Sequence, residues 1–283
     1  TEGIDAATLF PTRGLHTLAE PNMDPRLARA LARAYNDWLA DFCSYAPDRL
    51  IGAAMISPFD MNDAVEEVER TVNHLGMRAV FIRSNLMNDI PWQDHYYDPL
   101  WDTLEKYDIP IGFHEASSSG ARQSGQQFAS NLMLRRVYAQ PFEQMMAFGA
   151  FIGGGVLERH PGLRSAFLEA NCSWLPWLLW RLDEGYEREA DAFSDELKMA
   201  PSEYFRRQVW VSVEPDEAPA LDAISRYGSD NLVFSTDYPH GDSKYPLAVS
   251  SFLELQLEDD HKRKILWDNC AKFYNVQNKA VTG

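Results

Sequence analysis

The chain has 283 residues, 45% of them hydrophobic, and a formal net charge of −16. That length buries one large core, and the acidic balance argues against nucleic acid or an anionic membrane as partner, since both demand clustered Lys and Arg. No apolar run is long enough to span a bilayer and no opening segment reads as a secretion signal, so a soluble, cytoplasmic protein handling a small molecule is expected.

In chain order, short apolar runs rich in β-branched and aromatic residues alternate with longer amphipathic stretches. Strands are expected near Ala6–Pro11, Leu50–Ser57, Ala79–Arg83, Ile109–His114, Arg164–Glu169, Gln208–Glu214 and Asn231–Thr236. Helical spacing marks Asp24–Tyr45, Met61–Leu75 and Pro99–Tyr107, with Asn62 and Asp98 as caps, and a terminal helix over Lys262–Tyr274. Repeated βα units give parallel strands. The one glycine of Pro11-Thr12-Arg13-Gly14 is no phosphate-binding turn, which favours a (β/α) barrel over a doubly wound sheet. The three cysteines, Cys43, Cys172 and Cys270, are widely separated and read as reduced thiols. The polar, Ser/Gly/Gln-rich stretch Glu115–Asn131 follows a strand and is expected to be a binding loop.

The strand ends are unusually polar. They read Thr12-Arg13, Ser57, Arg83-Ser84, His114-Glu115, Glu169-Ala170-Asn171, Glu214 and Asp237-Tyr238-Pro239-His240. Apolar strands ending in imidazole and carboxylate point to a site at one barrel mouth, because burying those groups for packing alone is costly. Arg13 and Arg83 could clamp a substrate carboxylate or form salt bridges. His16, Gln127, Tyr138 and Asn171 are further pocket candidates. His74, His95, His160 and His261 read as solvated surface, and Trp174, Trp177 and Trp180, at roughly helical spacing, as core or subunit interface.

Ile109-Pro110-Ile111-Gly112-Phe113-His114 and Ser235-Thr236-Asp237-Tyr238-Pro239-His240 resemble strand ends five and eight of the amidohydrolase-related family of the amidohydrolase superfamily. That family includes aminocarboxymuconate-semialdehyde decarboxylase and aromatic-acid decarboxylases. Gly154–Pro161, Trp174-Leu175-Pro176 with Arg181-Leu182-Asp183, and Lys264–Tyr274 extend the resemblance over nearly the whole chain. It implies a (β/α)8 barrel of the TIM type and a divalent metal, zinc first, with manganese or iron as alternatives. It also implies His114 as a ligand and Asp237 as a ligand that handles the proton of a metal-activated water.

The sequence departs from the family pattern twice. The His-x-His or Glu-x-His pair of strand one is not found near the start, so the expectation is a single barrel domain over 1–283 lacking strand one, or else a degenerate metal centre. At the end of strand six the decarboxylases carry a catalytic histidine, whereas this chain reads Leu168-Glu169-Ala170-Asn171. Glu169 is then a metal ligand, an acid/base or a carboxylate paired with arginine, and His240 orients a ligand, binds substrate or lies on the surface. On that basis hydrolysis of an amide, ester, thioester or lactone carbonyl in a small carboxylated compound is expected first. Non-oxidative decarboxylation of an aromatic or unsaturated acid stands second and a non-catalytic binding barrel third, in a homo-oligomer.

Overall fold

The computed structural model describes residues 2–86, 88–114, 123–128, 130–189, 196–241 and 243–276. Seven strands form one parallel sheet in sequential order: β1 (Ala7–Leu9), β2 (Leu50–Met55), β3 (Ala79–Arg83), β4 (Ile111–His114), β5 (Ser165–Leu168), β6 (Val209–Val213) and β7 (Leu232–Phe234). Each expected strand is present, and each is shorter than or equal to its expected run. The connections carry α1 (Pro25–Ser44), α2 (Met61–Leu75), α3 (Asp98–Lys106), α4 (Leu132–Gly153), α5 (Val156–Arg159), α6 (Leu175–Arg188), α7 (Pro201–Gln208) and α8 (Ala220–Tyr227). Beyond β7 come α9 (Ala248–Glu254) and α10 (Asp259–Arg263), which runs through a π turn (Lys264–Asp268) into α11 (Asn269–Phe273). The terminal helix read from the sequence is therefore broken by that turn. No helix among the described residues is long and apolar enough to cross a membrane.

The expected helices form, but two of the expected caps do not. Asp60, in extended backbone, caps α2 by accepting from Asp63 N–H at 3.0 Å, and Asn62 lies inside the helix. Asp98 sits in the first turn of α3, its carboxylate taken by Arg159, His95 and His160. His160 is accordingly buried at 3% exposure, not a surface residue. Its ring nitrogens lie 3.1 Å from Asp98 and 3.2 Å from Asp102, which ties α3 to the turn after α5.

Alternation along the strands separates two cores, as period-two geometry requires. Ile51, Ala53 and Met55, Ala79 and Phe81, Ala166 and Leu168, Trp210 and Val233 pack into the interior. Val80 and Ile82, Ile111 and Phe113, Phe167, Val211 and Val213 pack against the surrounding helices. Side-chain amides fasten the connections. Asn231 donates to the Phe205 and Val209 carbonyls, Asn269 to those of Ser229 and Leu232, and Gln208 to those of His160 and Leu163, so buried backbone acceptors are satisfied where the ladder cannot reach.

Interior packing leaves no room for a side chain at Gly112. A Cβ there would lie 2.6 Å from Phe10 Cε1 and 3.1 Å from Leu168 Cδ1. Glycine lets the Phe10 ring lie on the β4 backbone, where it stacks 6.1 Å from His114. Gly112→Ala is expected to cost about 1–3 kcal/mol, the usual penalty for overpacking a core, read as a lower urea midpoint. An unchanged midpoint would show that Phe10 can move aside freely.

Candidate metal centre

Adjacent parallel strands deliver their carboxyl ends to one rim. His114 is the last residue of β4, Glu169 follows β5, Glu214 follows β6, and Asp237 with His240 follows β7. Strand alternation puts His114 and Glu214 on the interior side. Glu169 would fall on the outer side, but its φ of 55° breaks the extended run, as do 61° at Asn171 and 52° at Asp237. Left-handed backbone is costly for residues with a Cβ and concentrates at functional sites, where the surroundings enforce it.

These turns bring the expected residues together. His114 Nε2 lies 2.7 Å from Glu169 Oε2, His240 Nδ1 lies 3.9 Å from the same oxygen, and His240 Nδ1 lies 2.5 Å from Asp237 Oδ1. Glu169, Asp237 and His240 each offer one ligand atom within 4.8 Å of the others. The alternative of a Glu169–arginine pair is not what forms. Glu169 Oε1 accepts from Gln140 Nε2 at 3.0 Å, and its backbone N–H donates to Ser212 Oγ at 2.8 Å.

Electrostatics follow from the crowding. Burial pushes the Glu169 carboxyl up, but the charge and hydrogen bond of His114, the charge of His240 and a hydrogen bond with Asp237 together hold it below the ordinary glutamate value. Among the described residues Glu214 has no such partner. Burial first, then the negative charges of Glu169, Asp237, Glu217 and Asp216, push it up to about 8, and its Oε1 has no hydrogen-bond partner among those residues. Imidazole and carboxylate donors facing one another with an unpartnered carboxyl oxygen beside them suit a divalent cation.

Other candidates are placed differently. Two Arg83 N–H groups are taken, NH1 by the Leu15 carbonyl and NH2 by Asn85 Oδ1 at 2.9 Å, with the side chain buried. Its terminal nitrogens are thus engaged in holding the turn after β1, which corrects its reading as an open substrate clamp. That 3-10 turn, Arg13–His16, exposes Arg13 and His16 at the rim. Burial and the nearby charges of Arg83, Arg13 and His240 hold His16 below the ordinary histidine value. Asn171 is exposed just beyond Glu169. Gln127 is exposed on the 3-10 turn Gln126–Phe128, and Tyr138 of α4 stacks on Phe128 at 5.2 Å. Residues 115–122 and 129 of the expected binding loop lie outside the described residues.

Sequence reasoning passed over three residues. Glu214 stood among the polar strand ends without a role, and Gln140 and Glu217 were not singled out. Glu217 is 6% exposed. Its Oε1 accepts from Cys172 N–H and Ser173 N–H, both at 2.8 Å, and from the Ser173 hydroxyl, while Oε2 accepts from Glu214 N–H at 3.2 Å. One carboxyl thus fixes the turns that carry Glu169 and Glu214. Its signal in the sequence was spacing alone, three residues beyond Glu214.

Two outcomes are expected. Glu217→Leu leaves those donors facing an apolar side chain and is expected to cost about 3 kcal/mol or more in urea unfolding; a loss under 1 kcal/mol would deny it that role. Glu214 penalises the folded state as pH rises from its ordinary value of 4.5 to about 8, because the folded chain keeps a proton that the unfolded chain gives up. With chelator present, Glu214→Gln is expected to stabilise the protein by up to roughly 4 kcal/mol at pH 9 and hardly at all at pH 4.5. Equal effects at the two pH values would contradict the raised carboxyl.

Comparison with known proteins supplies the family. The model described as Amidohydrolase matches residues 6–276. Gamma-resorcylate decarboxylase of Rhizobium sp. (strain MTP-10005) is 28% identical over 233 residues, spanning 76% of this chain and 68% of that protein. The solved 2,6-dihydroxybenzoate decarboxylase from Rhizobium superposes with a TM-score of 0.79 at 23% identity, covering 97% of this chain and 85% of that one. Dihydroxybenzoic acid decarboxylase from Polaromonas sp. JS666, with bound manganese and the inhibitor 2-nitroresorcinol, gives 0.80 at 21% identity, with coverages of 97% and 83%. These relatives correct the expectation of hydrolysis. It rested on Glu169 standing where decarboxylases carry histidine, and a carboxylate there does not by itself choose between attack on a carbonyl and loss of carbon dioxide. With the barrel, the His114 and Asp237 strand ends and a family match over nearly its whole length, this chain belongs to the amidohydrolase family.

Proposed function

We propose that the protein is a divalent-metal-dependent, non-oxidative decarboxylase of a small aromatic acid. The observation that carries this reading is the convergence of His114, Glu169, Asp237 and His240 at one barrel mouth, in a chain whose curated relatives include gamma-resorcylate decarboxylases. The manganese in a solved neighbour makes manganese the first metal to try. His114, Asp237 and Glu169 would hold the cation, with His240 oriented by Asp237 at 2.5 Å. When bound, the cation supplies positive charge that orients and neutralises an anionic substrate.

The remaining work falls to the chain's own side chains. Arg13, exposed on the rim, attracts the substrate's negative groups, and His16 beside it offers a neutral ring N–H to orient them. Asn171, just beyond Glu169, with Gln127 and Tyr138, would bear on which ring substituents are accepted. Decarboxylation needs one proton delivered to the ring carbon that bears the carboxylate. The bond to the carboxyl carbon then breaks, its electron pair returns to the ring, and carbon dioxide leaves. Glu214, held above the ordinary glutamate value by burial among acids in the metal-free protein, would be the group to give that proton and take another from solvent. Exposed apolar side chains on α4 (Met133, Val137, Met146) and α6 (Trp177, Trp180) support a homo-oligomer.

With 2,6-dihydroxybenzoate and manganese, the parent protein is expected to release carbon dioxide and resorcinol. His114→Ala and Asp237→Asn are expected to lower bound manganese and to reduce turnover at least about 100-fold, in line with loss of a metal-held reaction. Full turnover in His114→Ala would remove the metal reading. A parent that binds manganese and leaves every aromatic acid intact would remove decarboxylation while sparing the metal site.

A further inference from the structure

Gln140 and Gln144 lie one turn apart on α4 and so share a face. The Gln144 amide is fully buried. Its two N–H donors reach the Phe113 and Leu168 carbonyls, each at 2.9 Å. Those carbonyls belong to the residues immediately before His114 and Glu169, at the last pair of the β4–β5 ladder, His114 opposite Leu168. Gln144 therefore ties the two strand ends together where backbone pairing stops. One turn earlier, Gln140 donates to Glu169 Oε1 at 3.0 Å, leaving Oε2 directed at His114 and, farther off, His240. The helix is held in place by its Asn131 cap and by Phe148 and Phe151, which pack into the core against Phe167 of β5.

We propose that Gln140 is a positioning residue of the metal centre. By engaging one carboxylate oxygen, it fixes the plane of the Glu169 carboxylate and so the direction in which the other oxygen meets the cation, on a strand-end spacing set by Gln144. The inference rests on the metal reading given above and concerns how the site is built rather than what it converts. A carboxylate turns broadly about its last torsion, and the uncommon backbone conformation of Glu169 does not itself fix the carboxylate plane. His114 meets Oε2, and the Gln140 donor on Oε1 holds the opposite end of the group. Outer partners of metal ligands characteristically influence affinity about 10- to 100-fold.

The test is manganese affinity, measured on the whole protein by the electron paramagnetic resonance signal of free Mn²⁺, with thermal unfolding of the metal-free proteins alongside. Gln140→Met keeps the volume and removes the donor; Gln140→Glu keeps size and polarity and presents a second carboxylate to Glu169. Both are expected to weaken the manganese dissociation constant about tenfold or more at pH 8, with metal-free Tm within about 2 °C of the parent. Variants that bind manganese as tightly as the parent would overturn the proposal, as would a loss of affinity matched by a proportionate loss of Tm, which marks a role in folding alone. A parent that binds no manganese removes the metal reading together with this proposal, whereas a parent that binds it beside unaffected variants removes the proposal only.

Discussion

Parallel strands that end together oblige their last side chains to share one small volume. In this chain three successive strands end in acids: Glu169 after β5, Glu214 after β6 and Asp237 after β7. Like charges confined at a partly dry rim are expensive, and the structure responds in three ways. Glu169 is set against His114, Asp237 against His240, and Glu214, left without a partner, keeps its proton. The site's chemistry follows from that imbalance. A cation would be attracted to the paired acids, with Glu214 beside them as a further acid of the rim.

The scaffold around the rim exists to keep this crowding from relaxing. Glu217 ties the turn after β5 to the end of β6 through four accepted hydrogen bonds, and Gln144 ties β4 to β5. Arg83, buried below the mouth, holds the turn after β1 through the Leu15 carbonyl. Phe10 fills the space that Gly112 leaves open and stacks beneath His114, excluding water from one side of the imidazole. Each device spends a polar or bulky group on geometry rather than on substrate, the usual arrangement around a metal site.

Strand positions were legible because buried strands are short apolar runs and each run stopped at a polar residue. The same pattern exposed His114, Glu169, Asp237 and His240, since imidazole and carboxylate are conspicuous after Gly112-Phe113, Phe167-Leu168 or Val233-Phe234. What could not be read depends on three-dimensional neighbours. Arg83 looks like a substrate clamp until the Leu15 carbonyl and Asn85 are seen to occupy it. His160 looks exposed until Asp98 and Asp102 close around it. Asn62 reads as the cap of α2, and only backbone geometry shows Asp60 in that role. Gln140 and Gln144 carry no motif, and their helix follows a polar loop whose composition gave no warning of it. The reaction type was misjudged for a related reason: the identity of one residue, Glu169, was allowed to outweigh a resemblance spread over the whole chain.

The central claim is that the acids and imidazoles of the mouth hold one divalent cation. Crystals of the protein soaked with manganese, measured at the manganese absorption edge, test it most directly. The account predicts a single strong anomalous peak within coordination distance of His114 Nε2, a Glu169 oxygen and Asp237, with the direct His114–Glu169 contact replaced by bonds to the metal. A peak elsewhere on the protein, or His114 and Glu169 still hydrogen-bonded to each other at saturating manganese, would contradict it.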